Sequence, residues 1–346
     1  MTNETFDIDE WARSAPKIVL HTHLEGSLDT ATLRELRLKN GLEESPLSSP
    51  HYLASTDFTK NWETFRQVFR HFCDHFREPQ DLTLAAVRYA LRLRESAVFY
   101  AEIIVSPWKH IEKGMCLSDL NTALALGADE ALKVGVRLRF LMDIVRKEAE
   151  PIDEMLEWCC DRRHSVFSGV SFSGGLGSVP RSAYATAAHR IRRSGLPITA
   201  HCGELEGPTS VYESFDYLQA DRLGHGVRAL EDAVLLRHIS LRRTHLEVCP
   251  TANARLGVGL PNGAAVGALA NGQVNFSINP DDEGIFGTTV PSEYQSLYRR
   301  GVLTPPLIRK CMQNAIDAAF CEASERSELV DAHRSWWEPR SVCNLA

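Results

Sequence analysis

The chain has 346 residues, 44% hydrophobic and 24% charged, a balance that supports a sizeable buried core and argues against disorder. A net charge of −7, with Lys and Arg scattered, offers no basic stripe to a phosphate backbone, so nucleic acid is not expected as a partner. The start, MTNETFDIDEWARSAP, has acidic residues where a secretory signal would be basic and then apolar, and no later run reaches membrane-spanning length. The expectation is therefore a cytoplasmic protein with no membrane partner.

Short β-branched segments alternate with longer helical periodicities, the pattern of βα units around a parallel sheet. Eight strands are expected, at Lys17–His21, Phe99–Val105, Arg137–Ile144, Val166–Phe172, Pro197–His201, Arg222–His225, Leu246–Cys249 and Val274–Ile278. Eight strands close a (β/α)8 TIM barrel, which needs about 250 residues plus insertions, so one barrel domain over residues 1–346 is the economical reading.

A long insertion, about residues 41–95, separates the first two strands. Its Gly41–Asp57 stretch, with Ser and Pro residues, reads as a loop. Asn61–Phe76 then places Phe65, Phe69, Phe72 and Phe76 three or four residues apart, one apolar helix face. That face is expected to pack on the body; the alternative is a hydrophobic lid in which Phe65 and Phe69 touch the substrate. Segments after Pro291, including Pro305–Phe320, read as extra carboxyl-terminal helices, and Trp336–Ala346 as an irregular tail.

Nine cysteines, without regular spacing or a Cys-x-x-Cys pair, argue against a disulfide framework. Cys249 precedes Pro250 instead of following it, so the signature of cytidine-type zinc deaminases is missing. Any metal must use other ligands.

The first strand ends in His21-Thr22-His23-Leu24-Glu25-Gly26. Alternate side chains of an extended chain share a face, so His21 and His23 point the same way and can chelate a metal. Three later strands end in comparable segments. These are His201-Cys202-Gly203-Glu204, Arg222-Leu223-Gly224-His225-Gly226 and Asn279-Pro280-Asp281-Asp282. All fall at strand carboxyl ends, where barrel enzymes assemble their sites. Cys202 alternates with His201 and should face away.

In this order the four motifs resemble the adenosine/adenine deaminase family of metal-dependent hydrolases, over roughly His21 to Tyr294. Phe99-Tyr100-Ala101-Glu102 with Ser106-Pro107, and Leu246 to Asn253, are supporting matches. The resemblance implies one Zn2+ per subunit held by His21, His23, His201 and Asp281. It further implies Glu204 as proton donor to purine N1, His225 as the group that orients water, and Asp281 as a carboxylate able to share the water's proton. By the same resemblance Asp282 meets N7 and the Gly174 backbone approaches N3. The remaining histidines, His71, His75, His110, His189 and His245, match no family ligand and read as surface or packing residues. Glu102 is expected to support the barrel interior, where a buried carboxylate needs partners.

Two departures concern the substrate. The family's acidic motif after the fourth strand is replaced by Gly169-Val170-Ser171-Phe172-Ser173-Gly174-Gly175-Leu176-Gly177. Glu25 stands where adenosine deaminases have an aspartate that meets the ribose 5′-hydroxyl, and glutamate there is usual in adenine and 6-aminodeoxyfutalosine deaminases. The expected activity is hydrolytic removal of the 6-amino group from an adenine nucleoside, adenosine-type or 5′-modified. Deamination of free adenine, another amidohydrolase reaction on a non-purine, and a non-catalytic purine-binding barrel are the alternatives. The sequence leaves a homo-oligomer open.

Overall fold

The computed structural model describes residues 6–147, 152–161 and 165–341. Eight parallel strands follow one another in chain order: β1 (Lys17–Val19), β2 (Val98–Val105), β3 (Arg137–Val145), β4 (Phe167–Ser173), β5 (Ile198–Cys202), β6 (Arg222–His225), β7 (His245–Val248) and β8 (Asn275–Ile278). All eight expected strands are present, with boundaries moved by a few residues. β1 stops short of His21 because the Leu20 and His21 amides turn to the Asn279 side chain, at 2.9 and 3.2 Å. The first and last strands then meet beyond their ends. Thr22 forms a parallel bridge with Asp281, and its hydroxyl donates to the Asp281 carbonyl at 2.8 Å. This is the TIM-barrel fold, with helices around the ring.

Charged side chains in the barrel interior pair with one another. Glu102 on β2 accepts from the Tyr100 hydroxyl at 2.8 Å and pairs with Arg222, which also lies 2.6 Å from Glu247 on β7. All three charged residues are buried, and pairing is what makes such burial tolerable.

Helices α1 (Ile8–Ser14) and α2 (Thr30–Lys39) flank β1, and the insertion carries α3 (Pro50–Ser55), α4 (Trp62–Cys73) and α5 (Pro79–Glu95). The reading of Gly41–Asp57 as loop is corrected: it holds a 3-10 turn at Pro46–Ser48 and then α3. Ser45 and Ser49 cap these turns, each followed by Pro at the first helical position, so residues that break structure in a loop here start helices.

In α4, Phe65, Val68 and Phe72 are buried while Arg66 and Arg70 stay half exposed. Near the carboxyl terminus, helix Pro305–Ala318 packs on β8 and β1. The expected irregular tail is corrected in its first part, since the last helix runs Ala323–Ser341, with Trp337 buried and stacked on Phe6 at 5.7 Å. Residues 342–346, and residues 1–5 of the acidic start, lie outside the described residues. No described helix is long and apolar enough to cross a membrane, and the cysteines among the described residues are free.

Candidate active site

A cavity of about 860 Å³ opens at the carboxyl end of the barrel. Its floor carries His23, His201, Glu204, His225, Asp281 and Asp282. The strand-end motifs are thus brought to one place, as the alternation argument requires.

The His23 and His201 Nε2 atoms face each other at 3.2 Å, and Asp281 Oδ1 lies 3.5 Å from His23 Nε2 and 3.6 Å from His21 Nε2. Zinc–nitrogen bonds of about 2.0–2.1 Å in a tetrahedral shell separate neighbouring donors by about 3.3 Å. The spacing therefore suits such an ion. His21 Nε2 is buried and has no hydrogen-bond partner, as expected of a lone pair aimed at a metal. Among the described residues, the donor atoms of His21, His23 and His201 lie close enough together to hold a metal ion, and so do those of His21, His225, Cys249 and Asp281 in a second, overlapping group. Cys249 is the member that strand-end motifs do not reveal. Cys202 belongs to neither group.

The ring of His21 is fixed from behind. Glu247 Oε2 accepts from its Nδ1 at 2.7 Å, and the Thr199 hydroxyl steadies the same carboxylate at 3.0 Å. A carboxylate behind a ligating imidazole sets its tautomer and raises its basicity. Burial disfavours a charged His21, but Asp281 and Glu247 outweigh it and raise the ring to about 10 when no cation shares the site. Burial, with the positive charge of its neighbours, keeps His201 well below the usual imidazole range.

His225 sits across from Glu204, its Nε2 3.6 Å from Glu204 Oε1 and 3.9 Å from Asp281 Oδ2. The Asn253 amide donates to His225 Nδ1 at 3.1 Å, which leaves the ring proton on the Nε2 that faces the cavity. Burial holds His225 down to about 3, so the ring is neutral. Burial, reinforced by the Asp281 charge, pushes Glu204 up to about 8, so near neutrality it is a carboxylic acid able to donate. Asp282 is pushed well above the usual carboxylate range by burial and by Asp281.

His225 and Asp281 both have left-handed backbones, φ 58° and 64°, although neither is glycine. Each costs on the order of 1–3 kcal/mol, tolerated where surrounding structure over-determines it, and such residues cluster at active sites. Gly26 has a different constraint. A Cβ there would stand 1.7 Å from Asp282 Oδ1, so only glycine lets the β1 loop pass beside that carboxylate.

The substrate residues read from sequence divide into two groups. Phe65 and Phe69 line the cavity, and the Phe69 ring lies 6.2 Å from that of His23, while Phe72 and Phe76 turn into the core. One helix therefore both packs and roofs. Gly174 is on the wall with φ 125°, its carbonyl accepting from buried Arg146 at 3.1 Å.

Glu25 is not brought to the cavity wall. Its Oε1 accepts from the Ser106 amide at 3.0 Å and lies 2.9 Å from His110 Nε2, with the side chain fully buried. His110 is accordingly more than packing. Sequence reading missed that partnership because 85 residues separate the two. His245 bonds Ser277, His75 contacts the His71 carbonyl, and His189 is exposed. Asp143 was also missed. It is buried at the wall, held by the Ser106 and Ser173 hydroxyls at 3.0 and 2.8 Å, and burial raises it to about 7.

The adenosine deaminase family model matches residues 16–336, nearly the whole barrel. The chain belongs to that family. An adenine deaminase of Rhizobium meliloti is 30% identical over 91% of this chain and 97% of its own length. An aminodeoxyfutalosine deaminase of Streptomyces avermitilis is 28% identical over 96% of this chain and 94% of its own. Among solved structures, an adenine deaminase from Arthrobacter aurescens shares the fold with a TM-score of 0.85 at 24% identity, covering 94% of this chain and 100% of that one. As a member of the family, the protein is a hydrolytic deaminase, an enzyme that cleaves a carbon–nitrogen bond to an amino group.

Proposed function

We propose that the protein removes the 6-amino group of an adenine nucleoside, adenosine-type or 5′-modified such as 6-aminodeoxyfutalosine, using one zinc ion per subunit. The observation that carries this reading is the pairing of a protonated Glu204 with a neutral His225 across the same floor that holds three metal-spaced imidazoles.

His21, His23, His201 and Asp281 would hold the ion, whose Lewis acidity makes water nucleophilic at neutral pH. Glu204 donates its proton to purine N1, which draws electron density from C6. The Nε2–H of His225 orients the attacking water and stabilises charge as the oxygen adds to C6. Asp281 takes one proton of the water, which leaves with the amino group as ammonia, and the proton remaining on the C6 hydroxyl returns to Glu204 as the 6-oxo group forms, so water enters and ammonia departs. Asp282 meets N7 and the Gly174 backbone meets N3, while Phe65 and Phe69 cover the base and exclude solvent.

A cavity near the upper end of the roughly 300–1,000 Å³ range of small-molecule sites favours a nucleoside over the free base. The free base is the second reading, favoured by the adenine deaminase relative. The deciding experiment incubates zinc-loaded protein with adenine, adenosine, 2′-deoxyadenosine and 6-aminodeoxyfutalosine, following ammonia and the loss of adenine-type absorbance. Turnover of a nucleoside well above adenine supports the proposal. Adenine as the best substrate transfers it to the free base, and silence on all four overturns purine deamination.

A further inference from the structure

The wall loop that carries Gly174 forms no helix or strand before Arg181 and contains no acidic residue, yet two guanidinium groups hold it. Arg146, directly after β3, donates to carbonyls at both ends of the loop, Gly174 at 3.1 Å and Val179 at 2.9 Å. Its own amide donates to the Ser173 carbonyl at 2.9 Å, and its carbonyl accepts from the Val179 amide at 3.0 Å. Arg181, where the loop ends, donates to the carbonyl of His201 at 2.8 Å. Both arginine side chains are buried.

Two buried cations side by side need an anion, and one oxygen serves both. Glu206 Oε2 lies 2.9 Å from Arg146 Nη2 and 2.8 Å from Arg181 Nη2. Glu213 gives Arg181 a longer second contact at 3.4 Å. Glu206 stands two positions beyond Glu204, and Gly174, His201, Glu204 and Glu206 line one small cleft. The loop is wedged as well as tied. A Cβ on Gly175 would stand 2.9 Å from Leu205 Cδ1 and 2.9 Å from Trp62 Nε1 of the roof helix α4. A backbone fixed in this way presents its polar groups at set positions, and the fixing depends on a carboxylate that the loop itself does not supply.

We propose that Glu206, acting through Arg146 and Arg181, is a positioning residue that sets the Gly174 backbone against purine N3. This rests on the deaminase reading and on the N3 contact within it. Without the carboxylate the two guanidinium groups repel each other, Arg146 leaves the Gly174 carbonyl, and the wall moves away from N3. Arg181 keeps Glu213 and the His201 carbonyl, so the metal-spaced donors stay in place.

The test uses the full zinc-loaded chain with two pairs of compounds, adenosine with 3-deazaadenosine and adenine with 3-deazaadenine, each measured as substrate or as competitive inhibitor. In the wild type the ring nitrogen should strengthen binding by about three- to tenfold, the worth of one neutral hydrogen bond. In Glu206→Gln that ratio should fall to about one, with KM raised while kcat and zinc content stay near wild type. Glu206→Asp, which keeps the charge, should recover much of the ratio. General damage to the fold would weaken both members of a pair in proportion and leave the ratio alone. If Glu206→Gln does not fold, Arg146→Met/Glu206→Gln removes one cation together with the anion and gives the same reading.

A wild-type ratio that persists in the variants would overturn the role of Glu206 and leave the N3 contact standing. A wild-type ratio of about one would remove the N3 contact and the proposal with it. If no compound releases ammonia, the deaminase reading fails and calorimetry decides the proposal alone. A nitrogen-dependent affinity that is lost in Glu206→Gln supports it, and equal or absent binding overturns it.

Discussion

Glu247 places one carboxylate oxygen 2.7 Å from His21 Nδ1 and the other 2.6 Å from Arg222 Nε, so a single side chain on β7 joins the metal-spaced histidines to the charged interior of the barrel. Burial works against its charge, but Arg222 and His21 outweigh it and hold Glu247 down at about 2. It is thus an anion at any working pH.

Glu247→Gln keeps the shape but removes the charge that fixes the His21 tautomer. Metal affinity should weaken by about 10–100-fold, the usual effect of losing such a partner. Competition with a graded series of chelators measures this directly. Unchanged affinity would mean that Glu247 serves only the ion pair with Arg222.

Glu204→Gln retains bulk and one hydrogen-bond acceptor but has no acidic proton. Turnover should fall by about 10²–10⁴, the range for general acid–base groups, while metal content stays at the wild-type level. A variant that keeps both metal and most of its turnover would remove Glu204 from the proton path.

The pH profile follows from the same group. Glu204 titrates at about 8 because burial and Asp281 disfavour its charged form. Its donor form is therefore present below that pH and lost above it, so kcat/KM should decline with rising pH beyond about 8. In the residual activity of Glu204→Gln this alkaline limb should be absent; its persistence would assign it to another group.

Gly26→Ala inserts a methyl where Asp282 Oδ1 already stands. Overpacking of this kind costs about 1–3 kcal/mol, and here it also displaces the carboxylate. Lower Tm together with raised KM is expected from melting curves and steady-state kinetics. A normal KM would show that Asp282 does not touch the substrate.

Chelation offers an independent check. A ligand bound only by the folded state stabilises it by mass action, so stripping zinc should lower Tm and abolish turnover, and restoring zinc should return both. Turnover that survives a confirmed loss of metal would refute the zinc-dependent reading.

The strand-end residues were legible in sequence because period-two alternation and chain order place them without knowledge of distant contacts. His21, His23, His201 and Asp281 all lie at or just beyond the carboxyl ends of strands, and the barrel does the rest. The supporting layer was not legible. His21 and Glu247 are 226 residues apart, Glu25 and His110 85, and no local pattern marks either pair. The burial of Glu25 against Ser106 and His110 was hidden for that reason. Gly41–Asp57 failed because Ser-Pro marks a helix start as readily as a loop.

The bridge from Thr22 to Asp281 spans 259 positions of sequence. The ring of strands and the proposed metal site are therefore closed by the same peptide. During synthesis, a chain that has not yet produced and docked Asp281 possesses three of the four proposed ligands but neither a shut barrel nor the acid that faces His225. Folding and catalytic competence consequently arrive together, and truncated or half-folded copies should be inert instead of partly active.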